Sequence, residues 1–126
     1  MKQPHSNKAH ILGSDGEQMA AQYLSDIGYT IVERNYRAGK NEIDIIALDG
    51  DEMVIVEVKT RTSEALVDAE EAVNHRKRQA LIHAADQYMT SHERTEQVRF
   101  DIIAIVAHQP QPELRHLKNA FNIMCH

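Results

Sequence analysis

EIDIIALDGDEMVIVEVKTR, the stretch from Glu42 to Arg61, decides how this chain is read. Two runs of β-forming residues flank Asp49-Gly50. In the first, Ile43, Ile45 and Ala47 alternate with Asp44, Ile46 and Leu48; in the second, Val54, Val56 and Val58 alternate with Ile55, Glu57 and Lys59. That period of two is the mark of strands. Asp-Gly between them signals a hairpin, because Gly takes the positive φ of a tight turn. A two-residue loop of Asp49-Gly50 would set Asp44 opposite Ile55 and diagonal to Glu57. A four-residue loop from Asp49 to Glu52 would set Asp44 directly opposite Glu57. Either register puts Asp44, Glu57 and Lys59 on one face, within side-chain reach of one another.

Two neighbouring carboxylates repel unless a cation stands between them or one takes a proton. A hard divalent ion such as Mg²⁺ needs a few carboxylate or carbonyl oxygens and keeps its other positions for water or phosphate. An adjacent lysine can orient a water or neutralise a phosphate, so the set has the parts of metal-assisted phosphodiester hydrolysis. A bare Glu-x-Lys is more often an exposed ion pair on a solvated sheet face, since short motifs recur by chance. The apolar neighbours Ile46, Leu48 and Ile55, and the face shared with Asp44, shift the balance towards a site.

Asp44 followed by Glu57-Val58-Lys59 resembles the PD-(D/E)xK signature of the restriction-endonuclease-like nucleases, which include the archaeal-type Holliday junction resolvases. More narrowly, Gly16-Glu17 with Ala20, Arg34-Asn35-Tyr36-Arg37, Glu42-Ile43-Asp44-Ile45-Ile46 and Val56-Glu57-Val58-Lys59-Thr60-Arg61 resemble the YraN family of bacterial nuclease-like proteins. Lys77-Arg78-Gln79, Phe100-Asp101 and Asn119-Ala120-Phe121 add weaker matches, and the likeness runs from about Gly13 to Phe121. The proline of the broader signature is absent, and Ile43 precedes Asp44. The resemblance implies an α/β, restriction-endonuclease-like fold: a mixed central sheet of about five strands flanked by helices. It implies a Mg²⁺- or Mn²⁺-dependent endonuclease acting on DNA, branched or single-stranded, that leaves a 5′-phosphate and a 3′-hydroxyl. On that pattern Asp44, Glu57, Glu17 and the backbone carbonyl of Val58 hold the metal, and Lys59 positions the attacking water or stabilises the phosphate. Resolvase-type relatives work as dimers, so a homodimer is compatible with the likeness, although no dimerising stripe stands out.

With 126 residues, the chain is long enough for one domain with a modest core, expected over residues 13–126 after a polar tail of residues 1–12. Hydrophobic residues at 42% and charged ones at 26% are ordinary for a soluble protein. No apolar run approaches bilayer length and the start is no signal peptide, so no membrane partner is expected. The single cysteine, Cys125, rules out an internal disulfide and suits a reducing cytoplasm. A net charge of −5 counts against tight duplex binding. Cations nonetheless cluster at Arg34-Arg37-Lys40, Lys59-Arg61 and Arg76-Lys77-Arg78. Of these, Arg34, Arg37, Arg61 and Lys77 are the expected phosphate contacts, giving weak and salt-sensitive binding.

The remaining elements follow from caps and periodicity. Ser14 with Glu17 makes a capping box for a first helix whose buried stripe is Met19, Ala20, Tyr23, Leu24 and Ile27, stopped at Gly28. The capping role alone explains Glu17; the metal role comes from the resemblance. A strand is expected from Tyr29 to Tyr36, then a loop through Ala38-Gly39-Lys40-Asn41. After a polar connection from Thr62 to Asp68 and a short helical turn within Val67–Val73, Asn74 caps a second helix with Leu81, Ala84, Ala85, Tyr88 and Met89 buried. Arg76, Lys77 and Arg78 sit in its first turn against the dipole, which suggests an outside anion, a solvated face being the commoner cause. Gln97 to His108 reads as a strand apolar on both faces and therefore central, with Asp101 as a structural partner of Arg99 or Lys77. A turn through Gln109-Pro110-Gln111-Pro112, an edge strand at Leu114–Lys118 and Phe121 packed over the sheet complete the chain. His83, His92, His108 and His116 show no zinc spacing. Two other functions fit the residues: a nucleic-acid-binding module with little cleavage, and an acidic protein-interaction domain.

Overall fold

The computed structural model describes residues 15–62, 74–107 and 111–122. Helix α1 (Gly16–Asp26) precedes strands β1 (Thr30–Ala38), β2 (Asn41–Asp49) and β3 (Glu52–Thr62). Helix α2 (His75–Ser91) follows, then β4 (Gln97–Ala107) and β5 (Glu113–Phe121). The strands form one sheet in the order β1-β2-β3-β4-β5. β1, β2 and β3 are an antiparallel meander, β4 runs parallel to β3, and β5 returns antiparallel to β4. A parallel pair needs a crossover, and α2 lies in the connection that makes it. This is the five-strand mixed sheet flanked by helices that the resemblance implied. No helix among the described residues is long and apolar enough to cross a membrane.

Each face of the sheet carries one helix. Ala20, Ala21 and Leu24 of α1 pack on Ile45, Ala47, Val54, Val56, Ile103 and Ile105. Leu81, Ala84, Ala85, Tyr88 and Met89 of α2 pack on Ile43, Ile46, Met53, Ile55, Phe100, Ile102 and Phe121 on the other side. Strands β3 and β4 are therefore covered on both faces, which is why they read as near-continuous apolar runs. Each fully buried Ile or Leu there stabilises the fold by about 1.5–3 kcal/mol. The second helix is as expected, with Asn74 Oδ1 accepting from the Lys77 N–H at 3.0 Å.

Several boundaries differ from the sequence reading. Ile27 falls just beyond the last turn of α1 and is 47% exposed, so it leaves the buried stripe. Ser14, the tail, the proposed turn within Val67–Val73 and His108 lie outside the described residues. Asp15 precedes α1 without a side-chain capping bond, which makes Glu17 the second helical residue rather than the third. β1 runs on to Ala38, which pairs with Asn41, so the expected loop is a two-residue turn of Gly39-Lys40. β5 is longer than Leu114–Lys118, and Phe121 at its end stacks on Phe100 at 4.9 Å between centroids.

One buried cation ties these parts together. The Arg99 guanidinium donates to Asp49 and Glu52 at 2.8 Å each, to both oxygens of Asp101 at 3.0 and 3.1 Å, and to the Tyr29 hydroxyl. Asp101 also meets His116 Nε2 at 2.7 Å and accepts from the Asn119 N–H at 2.9 Å, while His116 Nδ1 meets the Tyr23 hydroxyl at 2.9 Å. Burial alone would raise the Asp101 carboxyl, but the bonds from His116, Arg99 and Asn119 outweigh it and hold it below the ordinary carboxylate range. Removing the cation would strand a buried charge. Arg99→Met should therefore cost about 3–5 kcal/mol in urea unfolding, whereas Arg115→Ala, which breaks the exposed pair with Glu113, should cost less than about 1 kcal/mol.

Candidate functional site

The hairpin pairs Asp49 with Glu52, Leu48 with Met53 and so on to Ile45 with Val56. This leaves Gly50-Asp51 as the turn, with Gly50 at φ 63°. Continued one step, the register sets Asp44 opposite Glu57, as the four-residue loop would have done. The turn itself is a residue later than Asp49-Gly50. Past Ile45 and Val56 the backbone ladder stops, and the Val58 N–H donates instead to Asp44 Oδ2 at 2.8 Å. A side-chain oxygen has replaced a carbonyl, and the two strands part around it.

Alternation along β2 also breaks at this point. Ile45 and Ala47 face α1, whereas Ile43 joins Ile46 against α2. On the neighbouring strand Tyr36 pairs with Ile43, Arg34 pairs with Ile45, and Asn35 between them stands at φ 54°. Tyr36 accordingly meets the Tyr88 ring edge-on at 5.1 Å, on the α2 side. Sequence alternation would have placed Ile43 with Ile45.

Glu57 follows Met53 and Ile55 onto the α2 face, where it is 4% exposed. Its Oε2 receives Lys59 Nζ at 3.2 Å and Lys77 Nζ, from the first turn of α2, at 3.6 Å. The anion that rewards Lys77 is thus internal. Glu57 Oε1 is buried and has no hydrogen-bond partner among the described residues. The Asp44 carboxyl is pushed up from 3.8 to about 7, first by burial, then by the charges of Glu57 and Glu17, against the opposing Val58 N–H and Lys77.

Glu17 comes from the other side of the sheet. Gly16 lies so close to β3 that a Cβ on it would strike the Thr60 hydroxyl, and this close approach brings the next residue near the hairpin. With its nitrogen turned inward, the orientation that satisfies both neighbours, the Asn35 amide donates to Glu17 Oε1 at 3.0 Å and to Glu42 Oε2 at 3.2 Å. Glu42 is 3.9 Å from Arg37.

The structure therefore gathers Asp44, Glu57, Lys59, Lys77 and Glu17. It does not bring the three expected arginines onto the acids at its centre: Arg34 donates to Gln18, Arg37 meets Glu42, and Arg61 donates to the Thr60 carbonyl. Sequence reasoning missed Asn35 and Glu42 as neighbours of the cluster. The signal for Asn35 was an Asn inside a run of strand formers, a residue that tolerates left-handed backbone. Among the described residues no group of three or more His, Cys, Asp or Glu side chains is placed to hold a metal ion, so Asp44 and Glu57 stand as a pair rather than as part of a three-acid site.

The raised carboxyl has a stability consequence whose sign is fixed. Between the ordinary carboxylate range and about pH 7 the native protein keeps a proton on Asp44 that the unfolded chain has released. Metal-free protein should therefore lose stability as pH rises through that window, and the loss is complete above it. Asp44→Asn keeps an oxygen for the Val58 N–H and has nothing to ionise. Urea unfolding in chelator should show the variant more stable than the parent at pH 8 by on the order of a few kcal/mol, with the gap closing towards pH 4.

Comparison with known proteins places this arrangement among relatives. Residues 16–105 match the model of "Uncharacterised protein family UPF0102". A UPF0102 protein of Chlorobium phaeobacteroides is 43% identical over 119 residues, covering 89% of this chain and 94% of the relative. One from Rhodococcus jostii is 41% identical over 112 residues, covering 87% and 95%. One from Bacteroides thetaiotaomicron is 43% identical over 110 residues, covering 87% and 91%. The match spans every described element through most of β4, including all the residues gathered around Asp44 and Glu57, and the chain belongs to the UPF0102 (YraN) family.

Proposed function

We propose that the protein is a metal-dependent endonuclease that hydrolyses phosphodiester bonds of DNA, with branched or single-stranded DNA as the preferred form. The observation that carries this reading is Glu57 Oε1: a buried carboxylate oxygen on the residue that the hairpin register sets opposite Asp44, with no hydrogen-bond donor among the described residues. Such an oxygen costs about 1–3 kcal/mol or more if it stays unmatched, and a cation removes that cost. Asp44 carries the same signature in its raised affinity for a proton.

The donor set fits Mg²⁺ or Mn²⁺. These ions are held by one or two carboxylates and keep positions for water and phosphate, so an open seat suits them better than a closed cage. Asp44, Glu57 and the Val58 carbonyl would hold the ion, with Glu17 completing the acidic cluster. When bound, the ion would supply charge neutralisation at the scissile phosphate and lower the pKa of a water.

The chain's own groups have separable tasks. Lys59 stands 3.2 Å from Glu57 and is only partly exposed, so its ammonium is held where it can donate to an attacking water or a phosphate oxygen. Lys77 meets the same Glu57 oxygen from α2, so both ammonium groups stand on Oε2. Arg34, Arg37 and Arg61 lie outside this core and would engage phosphates farther along the strand, where guanidinium forks match phosphate oxygens. The reaction needs no redox partner, and a cytoplasmic setting suits it.

The net charge of −5 favours an acidic protein-interaction domain with no nucleic-acid role; the second reading closest to a nuclease is a binding module with slow cleavage. Nuclease and module separate on a labelled branched or single-stranded substrate incubated with Mg²⁺, Mn²⁺ or chelator. Cleavage should require the metal, and Lys59→Ala or Asp44→Ala, purified beside the parent, should lower the rate by about a hundredfold or more. Full activity in either folded variant would sink the assignment of roles. Salt-sensitive binding with no metal-dependent cut in the parent would support the second reading instead.

A further inference from the structure

We infer that Asn35 is a positioning residue of this site, a two-pronged donor that fixes Glu17 beside Asp44 by holding it against Glu42. The inference rests on the metal-seat reading above and extends it to a residue outside the acid–acid–lysine set. An amide nitrogen carries two hydrogens and no charge. Here one goes to Glu17 Oε1 at 3.0 Å and the other to Glu42 Oε2 at 3.2 Å.

Three observations make the contact more than a surface bond. Asn35 adopts φ 54° within a strand, a conformation that residues other than Gly rarely take and that Asn tolerates. It occurs between the pairs Arg34–Ile45 and Tyr36–Ile43, opposite Asp44, so the unusual backbone and the acid share one step of the ladder. Glu57, whose buried Oε1 has no hydrogen-bond partner among the described residues, bears on the same Asp44 carboxyl. Glu17 is also near enough for its charge to bear on Asp44.

The choice of residue has a chemical reason. Glu17 and Glu42 would repel one another without a donor between them. Lysine or arginine in that place would separate them too, but would add a positive charge that opposes metal binding. A neutral amide donates to both acids and leaves the Glu17 charge for the ion, Glu42 being already met by Arg37.

The test is Mn²⁺ affinity, followed by the loss of the free-ion electron paramagnetic resonance signal, in the parent, Asn35→Gly, Glu17→Gln and the double variant. Glycine keeps the positive φ available and removes the side chain that carries the amide. Asn35→Gly should weaken Mn²⁺ binding about tenfold or more, as loss of a partner that orients a ligand does. In the Glu17→Gln background it should add less than about twofold, because both changes act through one carboxylate. Multiplying effects, or an unchanged affinity in Asn35→Gly, overturn the inference while leaving the metal seat intact. A parent that binds no Mn²⁺ overturns the seat and the inference with it. Should the glycine variant not fold, the Asn35 side-chain amide resonances of the parent decide. They should move on Mg²⁺ addition and stay put in Glu17→Gln; no movement in the parent overturns the inference.

Discussion

A single guanidinium, that of Arg99, sets the frame on which everything else is measured. It joins the two ends of the hairpin turn, Asp49 and Glu52, to Asp101 on β4 and to Tyr29 at the exit of α1. Pairing between β2 and β3 is unbroken from that turn to Ile45 and Val56, so fixing one end fixes the other. A slip by one residue would carry every side chain to the opposite face and move Glu57 from beneath α2 to beneath α1. The geometry of the far end of the hairpin thus depends on an ion cluster at the near end.

The same device appears twice in the sheet. Where β2 and β3 part, the Asp44 carboxylate accepts the Val58 N–H; where β4 and β5 lose register between Phe100 and Ile102, Asp101 accepts the Asn119 N–H. In both cases an aspartate stands in for a main-chain carbonyl and the ladder opens beside it. The difference lies in the charge environment. Asp101 has Arg99 and His116 at hydrogen-bonding distance, and is held ionised. Asp44 faces two glutamates, with Lys77 only a minor counterweight, and holds its proton unusually tightly. One junction has its negative charge matched by Arg99 and His116, and the other leaves acids facing acids.

Much of this was legible in the chain because it is local. Val54, Val56 and Val58 against Ile55, Glu57 and Lys59 fix a strand and its faces without reference to anything distant. Asn74 with Leu81, Ala84, Ala85, Tyr88 and Met89 likewise fixes α2, cap and stripe together. What escaped is what a period of two or 3.6 cannot encode. The switch of Ile43 to the α2 face follows from Asn35 on a different strand. The turn at Gly50-Asp51 was displaced by one because Asp49 is drawn into the ladder beside Arg99, fifty residues later. Lys77 read as a cation against a helix dipole, and only the packing of α2 over the sheet face that carries Glu57 shows that its anion is Glu57.

The rims of the sheet carry a further consequence. β1 has a register shift between Ile31 and Glu33, a left-handed residue at Asn35, and exposed Glu33, Arg34 and Arg37. β5 has its own shift, a left-handed Asn119, and exposed Glu113, Arg115 and Lys118. A kinked, charged border is a poor template for another strand. Neither margin therefore invites aggregation by sheet extension.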